Sequence, residues 1–221
     1  MPRAIGVFGG AFAPFHNGHL RLAIEARDAL GLQQVRLIPT AHPPHRPDSR
    51  VSAARRLEWL RLAVRRERGL VPDDRELLRD GPSFTIETLI ELREQFPQAA
   101  LVLLMGADAF RHLHTWRRWE ELLEYGHIAV FSRPGAAPEA SVETRSVLSR
   151  RRAPDIEALL ASTAGRWLAF EPPMLDISST RIRRLLRQGR SVRGLVPDAI
   201  LNAMTPADRS ALTQDDDATT H

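Results

Sequence analysis

The start of the chain places one helix between two short apolar runs, and this arrangement constrains the fold more than any other feature. Residues 4–8 (AIGVF) indicate a buried strand, which the glycine pair at 9–10 ends in a tight turn. A helix is predicted from Asn17 as its N-cap to Gly31 as its C-cap. Residues 35–39 (VRLIP) are the next strand. These elements form a β-α-β unit, in which the two strands are parallel and the connection is expected to be a right-handed crossover.

The same alternation continues along the chain. Residues 100–106 (ALVLLMG) are apolar without polar alternation, as is typical of a central strand in a parallel sheet. We therefore predict an α/β fold: a Rossmann-like, doubly wound parallel sheet with helices on both faces and a small C-terminal helical part. Further strands are predicted at 127–135 and 167–173, and further helices from about Ser52, from a cap at Ser83 or Thr85 to before Pro97, at 116–126, from the serines at 178–179 to Gly189, and at 196–204.

Length and composition favour one domain. The chain has 221 residues, of which 43% are apolar, enough to bury a sizeable core. We expect a single domain over residues 1–204, with a helical subregion at about 176–204. Residues 134–165 form a polar insertion with weak helix signals, and the acidic segment 205–221 is expected to be disordered.

Several classes of protein are excluded by what the sequence lacks. It has no cysteine, so disulfides and thiolate metal sites are ruled out. No apolar run approaches the roughly 18 residues that a membrane-spanning helix needs, and the N-terminus does not have the pattern of a secretory signal. We expect a cytoplasmic protein that does not bind a membrane.

The charge of the chain comes from arginine alone. All 31 basic residues are arginine, yet the formal net charge is only +4. Guanidinium groups suit phosphate ligands because they offer a planar fork of donors. The arginine-rich stretches are dispersed and interleaved with acidic residues, whereas a nucleic-acid interface needs basic residues on one face. Nucleic acid is therefore not the expected partner.

The segment between the first strand and the first helix has the composition of a phosphate site. Gly9 and Gly10 allow backbone N–H groups to approach a ligand closely. The helix that follows offers unpaired N–H donors and the positive end of its dipole. His16 and His19 are three residues apart, so both imidazoles can face one bound group and neutralise charge on a phosphate in transfer.

A second segment near the C-terminus has similar chemistry. Ser178, Ser179 and Thr180 stand at the predicted start of a helix, where hydroxyl and backbone N–H groups can hold phosphates. Arg183 follows one turn later on the same helix. Taken alone, this pattern is equally that of a plain capped amphipathic helix.

Both segments resemble known motifs. Residues 10–19 (GAFAPFHNGH) resemble the GxFxPxHxGH signature of the nucleotidyltransferase superfamily of adenylyl- and cytidylyltransferases. Residues 176–186 (DISSTRIRRLL) resemble the ISSTxIR signature of bacterial nicotinate-mononucleotide adenylyltransferases. Between these two segments lie five weaker matches, in the order in which that family has them: PPHRP at 43–47, GPSFTIETL at 81–89, LMGADAF at 104–110, TW at 115–116 and SRPG at 132–135.

The resemblance implies an enzyme that transfers AMP from ATP to nicotinate mononucleotide, with Mg²⁺ carried by the ATP phosphates and no metal held by the protein. It implies His16, His19 and Arg183 as catalytic residues. The implied mononucleotide-binding residues are His45, Arg46, Thr85, Trp116 and Arg133. The implied ATP-binding residues are Gly9, Gly10, Ala11, Phe12, His16, His19, Gly106, Asp108, Ile177, Ser178, Ser179, Thr180 and Arg183.

Two residues depart from the family pattern, and several alternatives stay open. Ala13 stands where the family usually has Asp, and Phe15 where smaller residues are common. The acceptor could also be nicotinamide mononucleotide or phosphopantetheine, or the chain could be a nucleotide-binding regulator with a weak active site. An RNA-binding relative of class I tRNA synthetases is disfavoured, because those enzymes use a lysine-rich KMSKS loop and this chain has no lysine. The oligomeric state is not predicted.

Overall fold

A sheet of six strands in the order β3-β2-β1-β4-β5-β6 organises the computed structural model of this protein. The β1–β4, β4–β5 and β5–β6 pairs are parallel, with Ala4 opposite Ala100 in the first of them. The chain therefore runs outward from β1 to one edge and then returns to β4, as in Rossmann-like doubly wound sheets. The predicted fold class is confirmed. The strands are β1 (Ala4–Gly10), β2 (Gln34–Pro39), β3 (Leu70–Pro72), β4 (Ala100–Gly106), β5 (His127–Phe131) and β6 (Trp167–Phe170).

Ten α-helices lie within the described part of the chain, which comprises residues 3–44, 49–132 and 138–214. Short 3₁₀ turns occupy Arg75–Leu77, Leu113–Thr115, Trp119–Glu121 and Ser149–Arg151. None of the helices in these ranges is both long and apolar enough to cross a membrane. The helices are α1 (Asn17–Ala29), α2 (Ala53–Val64), α3 (Thr85–Gln95), α4 (Ala107–Arg111), α5 (Leu122–Tyr125), α6 (Val142–Leu148), α7 (Ile156–Leu160), α8 (Ser179–Arg187), α9 (Asp198–Ala203) and α10 (Pro206–Gln214).

The contacts divide the chain into two compact units. Unit 1 contains Met1–Gly9, Glu25–Arg36 and Phe84–Pro173, and unit 2 contains Gly10–Ile24, Leu37–Ser83 and Met174–His221. The boundaries expected from the sequence, one domain over 1–204, stay a prediction.

Unit 1 is built around β4 and β5. Every residue of β4 except Gly106 is buried, and all of β5 is buried, as expected for central parallel strands. Arg93 of α3 joins three separate segments, since its guanidinium donates to the carbonyls of Ala99, Tyr125 and Thr163 at 2.7, 2.8 and 2.9 Å. The expected weak helices of the 134–165 insertion are α6 and α7, which pack through buried Leu148 and Leu159.

Unit 2 contains a helix that the sequence reading missed. Residues 205–221 were expected to be disordered, but α10 begins after Thr205, whose hydroxyl accepts the N–H of Asp208 at 3.1 Å. Asp208 also pairs with Arg55 of α2 at 2.8 Å, and Leu212 is fully buried. The prediction of disorder was therefore wrong for α10, because the acidic residue is neutralised by an arginine distant in sequence.

Several helix boundaries also differ from the predictions. Neither Ser83 nor Thr85 caps α3: the N-cap position is Phe84, and the Ser83 hydroxyl instead accepts the N–H of His42 at 3.2 Å. The helix predicted over 116–126 is reduced to a 3₁₀ turn and the short α5, because Arg118 has a left-handed φ of 52° that breaks it. The predicted end of α8 at Gly189 agrees with the structure, since Gly189 has a positive φ of 65° and its N–H donates to Leu186.

Candidate active site

The loop between β1 and α1 is shaped by aromatic packing. Phe12 has a φ of 49°, which non-glycine residues rarely adopt, and its ring packs edge-on against Phe15 with centroids 5.3 Å apart. A Cβ on Gly10 would come within 2.9 Å of the Phe12 ring, so glycine is required there. A Cβ on Gly9 would meet nothing within 4 Å, so space on that side of the backbone is open. The loop is thus held by its own rings.

The two histidines of the motif cap the N-terminus of α1 reciprocally. The His19 backbone N–H donates to Nδ1 of His16 at 3.2 Å, and the His16 backbone N–H donates to Nδ1 of His19 at 3.3 Å. This is the pattern of a capping box, with imidazoles in place of the usual hydroxyl and carboxylate. Asn17 was predicted to be the N-cap, and this prediction was wrong: the Asn17 side chain donates to the carbonyl of Gly194 at 2.8 Å, and His16 occupies the cap position.

The capping bonds assign the protonation of both rings. Because each Nδ1 accepts an N–H, the single proton of each neutral imidazole sits on Nε2, so Nε2–H is the donor of each ring. The rings stack with centroids 3.5 Å apart and an angle of 17°. Phe15 stacks on His19 at 5.5 Å and 22°, and is itself fully buried. The large residue at position 15 therefore has a packing role: it supports the His19 ring.

Burial keeps both histidines neutral near pH 7. It lowers the pKa of His16 to about 4. Burial, followed by repulsion from the neighbouring His16 ring, lowers the pKa of His19 well below its usual value. The pair therefore presents two uncharged N–H donors rather than two positive charges.

Gly18 allows this arrangement. A Cβ at this position would lie 3.0 Å from Nδ1 of His16 and 3.3 Å from the carbonyl oxygen of Ile177. Any side chain would therefore press on both the histidine ring and the segment before α8. Glycine is needed at position 18 because His16 and Ile177 approach its backbone closely, and not because of an unusual backbone conformation.

The start of α8 is fixed by its own hydroxyl groups. Ser178 is the N-cap, and its side chain accepts the N–H of Arg181 at 3.2 Å. The Thr180 hydroxyl accepts an N–H of Arg183 at 3.3 Å. Both hydroxyls act as acceptors in these bonds, so their O–H groups can still donate to an anion, together with the backbone N–H groups of the first turn.

Two side chains of α8 tie it to the loop after β1. The Ser179 hydroxyl donates to the carbonyl of Pro14 at 3.1 Å, and Arg183 donates to the carbonyl of Ala13 at 2.9 Å. Residue 13 thus contributes a backbone carbonyl to this contact, which does not depend on a carboxylate side chain. The replacement of the family's usual Asp by Ala13 leaves the connection in place.

One cavity joins these groups. It has a volume of about 270 Å³, and the N–H groups of Gly18 and Ser179 on its wall have no hydrogen-bond partner within the described ranges. Sequence reasoning did not select Leu22, Met174 or Leu175 as site residues; Leu22 could have been found from its helical spacing with His19. The lining residues are His16, Gly18, His19, Leu22, Met174, Leu175, Ile177, Ser178 and Ser179, all in unit 2.

Sequence reasoning also missed Arg56, which supports the loop between β1 and α1 through hydrogen bonds. Its side chain is buried, and its guanidinium donates to the carbonyls of Ala11 and Thr40 at 2.6 and 2.7 Å and to that of Val51 at 3.1 Å. A buried arginine bonded to three carbonyls fixes the positions of all three chain segments. Nothing in the helical pattern of α2 distinguishes this arginine from Arg55 and Arg61 of the same helix.

The remaining candidates lie in unit 1. Gly106 ends β4 and is the N-cap of α4, and Asp108 is exposed in the first turn of that helix. Thr85 is the first residue of α3, and Trp116 directly follows a 3₁₀ turn; both are half-buried. The guanidinium of Arg117 lies over the Phe84 ring at 4.6 Å, so the chain at Trp116 runs beside the start of α3.

Three predicted mononucleotide residues, His45, Arg46 and Arg133, lie outside the described residues. Within the described ranges, no three His, Cys, Asp or Glu side chains form a group that could hold a metal ion.

The comparisons of this chain with known proteins agree on one family. The cytidylyltransferase-like family model matches residues 7–185. A probable nicotinate-nucleotide adenylyltransferase of Aeromonas hydrophila is 47% identical over 197 residues, which cover 89% of this chain and 92% of that protein. A protein of the same description from Pseudomonas syringae is 47% identical over 202 residues, covering 91% and 90% of the two chains.

Solved structures agree at the level of the fold. A crystal structure described as a nicotinate-nucleotide adenylyltransferase from Vibrio parahaemolyticus superposes with a TM-score of 0.61 at 15% identity, over 96% of each chain. The nicotinic acid mononucleotide adenylyltransferase of Plasmodium falciparum, solved with NaAD, has a TM-score of 0.64 at 13% identity over 95% of this chain and 94% of that one.

Proposed function

Because this chain belongs to the cytidylyltransferase-like family of nucleotidyltransferases, we propose that it transfers the AMP group of ATP to nicotinate mononucleotide. The products are nicotinate adenine dinucleotide and pyrophosphate. Relatives that match about nine-tenths of the chain at 47% identity carry the name of this activity, which supports the choice of acceptor.

The cavity of unit 2 is the observation that carries the proposal. It brings the Nε2–H groups of two histidines and two helix N-termini to one place, and the backbone N–H groups of Gly18 and Ser179 have no partner among the residues that the structure describes. Helix N-termini favour anions through their N–H groups and dipoles. A triphosphate is the substrate that such a set of donors fits, and the apolar side chains of Leu22, Met174 and Leu175 offer a surface for a base.

The reaction needs two anions to meet in line. A phosphate oxygen of the mononucleotide attacks the α-phosphorus of ATP, and the bond from that phosphorus to the bridging oxygen of the β-phosphate breaks as pyrophosphate leaves. Attack is direct, so the protein contributes position and charge stabilisation rather than a covalent intermediate.

His16 and His19 act as hydrogen-bond donors in this scheme. Their Nδ1 atoms are occupied by the capping bonds, so each ring can turn only Nε2–H toward the phosphates. Donors that are already oriented need no reorganisation when charge develops in the transition state. Arg183 supplies a permanent positive charge one helical turn from Ser179, and magnesium enters with ATP.

The mononucleotide is assigned to residues of unit 1. Trp116 is half-buried, so part of its ring is available to stack on the pyridine ring. Thr85 begins α3, where first-turn N–H groups can hold the nicotinate carboxylate. Asp108, which the resemblance implies as an ATP-binding residue, is exposed in the first turn of α4, where its carboxylate can accept hydrogen bonds from ribose hydroxyls.

Pyrophosphate release from ATP by the purified protein tests the proposal. Nicotinate mononucleotide, nicotinamide mononucleotide and phosphopantetheine are compared as acceptors at equal concentration. We expect release with the acid mononucleotide to exceed release with the other two. Binding of ATP without release on any acceptor would instead support the nucleotide-binding regulator, and release only with phosphopantetheine would change the acceptor.

A further inference from the structure

A second cavity in unit 2 shares no residue with the candidate active site. It has a volume of about 330 Å³, within the range of small-molecule sites. Arg190 and Arg193 come from the segment after α8, and Arg209 comes from α10. The lining residues are Arg190, Ser191, Val192, Arg193, Asp198, Leu201, Asn202 and Arg209.

The three arginines of this cavity have no side-chain partner among the residues that the structure describes. Within residues 3–44, 49–132 and 138–214, none of their guanidinium groups makes a hydrogen bond or an ion pair, including with Asp198 on the same wall. Elsewhere in unit 2, Arg55 is paired with Asp208 at 2.8 Å. Three like charges around one cavity repel each other, and an anion would offset that repulsion.

The backbone that carries these arginines is preorganised. Gly189 ends α8 in a left-handed conformation, and the Arg190 N–H donates back to the carbonyl of Leu185 at 2.9 Å, which fixes the direction of the chain. The Arg193 N–H donates to the Ser191 hydroxyl at 3.3 Å, and Val192 beside it is buried. A ligand would therefore have to order side chains but not the backbone, which lowers the cost of binding.

We propose that the cavity lined by Arg190, Arg193 and Arg209 binds a small phosphoryl anion, of the size and charge of pyrophosphate. Three guanidinium groups and one carboxylate leave a net charge of about +2, which matches a multiply charged phosphate better than a monoanion. Ser191 and Asn202 add uncharged hydrogen-bonding groups to the wall. The same loop continues to Gly194 and Leu195, whose carbonyls accept bonds from Asn17 at the start of α1.

Arginine footprinting with pyrophosphate tests the site in the wild-type protein. Phenylglyoxal modification is mapped by mass spectrometry with and without pyrophosphate, in buffer without magnesium. We expect Arg190, Arg193 and Arg209 to be protected at least threefold, with Arg65 and Arg66 unchanged. Protection confined to Arg183, or equal protection of Arg65 and Arg66, would overturn the proposal, because it would locate pyrophosphate at the active site or nowhere specific.

Matched variants give the second measurement. Since each charge-assisted hydrogen bond is worth roughly a tenfold change in affinity, the double variant Arg193→Gln/Arg209→Gln should raise the dissociation constant of this site at least tenfold by calorimetry. The exposed pair Arg65→Gln/Arg66→Gln on unit 2 is the control and should change it less than twofold. An isotherm of the first variant that is identical to that of wild type would refute the site.

Discussion

The two groups of candidate residues are held in different ways. Those around the 270 Å³ cavity of unit 2 are buried or bonded to other residues: the histidines cap each other, and α8 is bonded to the loop before α1. Those of unit 1, such as Asp108 and Trp116, are exposed or half-buried side chains. The first group is fixed before any ligand arrives, and the second offers open surfaces.

The proposed chemistry explains this difference. Stabilising charge that develops during phosphoryl transfer requires donors with fixed positions, because reorganisation in the transition state costs free energy. Recognition of a flat ring or a ribose requires only an accessible surface and a few polar atoms. Substitutions in the first group should therefore lower turnover or stability, and those in the second should chiefly weaken binding.

The largest expected effect is on turnover. His19→Ala removes one fixed Nε2–H donor and should lower kcat for pyrophosphate release by roughly 100-fold to 1000-fold. Circular dichroism checks that the fold is kept, and His114→Ala, in unit 1, is the matched control. If His19→Ala kept kcat within a factor of two of wild type, the histidine pair would have no part in the reaction.

The next largest effect is on the free energy of unfolding, when the side chain of Arg56 that supports the loop between β1 and α1 is removed. Arg56→Met deletes the donor to the Ala11, Thr40 and Val51 carbonyls, and should lower the free energy of unfolding by about 3 kcal/mol. Urea unfolding measures this, with the exposed Arg65→Met as control. Equal stabilities of the two variants would show that Arg56 does not fix the loop.

Low pH should lower the free energy of unfolding through His16, which belongs to the first group of residues. The pKa of His16 is about 4 in the folded protein against about 6.5 when unfolded, so the unfolded chain binds more protons between these values. The contribution is complete above pH 6.5 and is lost as the pH falls toward 4, by up to about 1.4 kcal/mol per pH unit for one histidine.

Urea unfolding between pH 7 and pH 5 checks this pH dependence. His16→Asn should give a shallower slope of stability against pH than wild type. Parallel slopes for wild type and His16→Asn would show that His16 is not the group responsible.

The smallest effect is expected in the second group. Trp116→Ala should raise the KM for nicotinate mononucleotide by about tenfold with little change in kcat, since stacking on one ring is worth about 1–1.5 kcal/mol. Trp119→Ala is the matched control. A raised KM for ATP with an unchanged KM for the mononucleotide would contradict the assignment and remove the distinction between the two groups.

Many elements of the fold were predicted from local sequence patterns. The apolar runs that became β1, β4 and β5 and the glycine at the end of α8 were predicted near their observed positions, because periodicity and turn residues act over a few positions. The tail helix α10 had such a signal too: Thr205, Pro206 and Asp208 have the spacing of a capped helix start. The acidic composition of the tail led us to overlook it.

The sequence by itself determined the main alternation of strands and helices, though not β3 or α10, and the residue types at the candidate site, since both are encoded in short stretches of chain. Only the tertiary structure decided that His16 and His19 cap each other, that Arg56 supports the loop, and that Arg183 bonds to a carbonyl 170 residues away. The physical reason is range: periodicity and capping depend on neighbours, whereas a buried donor finds its acceptor only when distant segments have packed together.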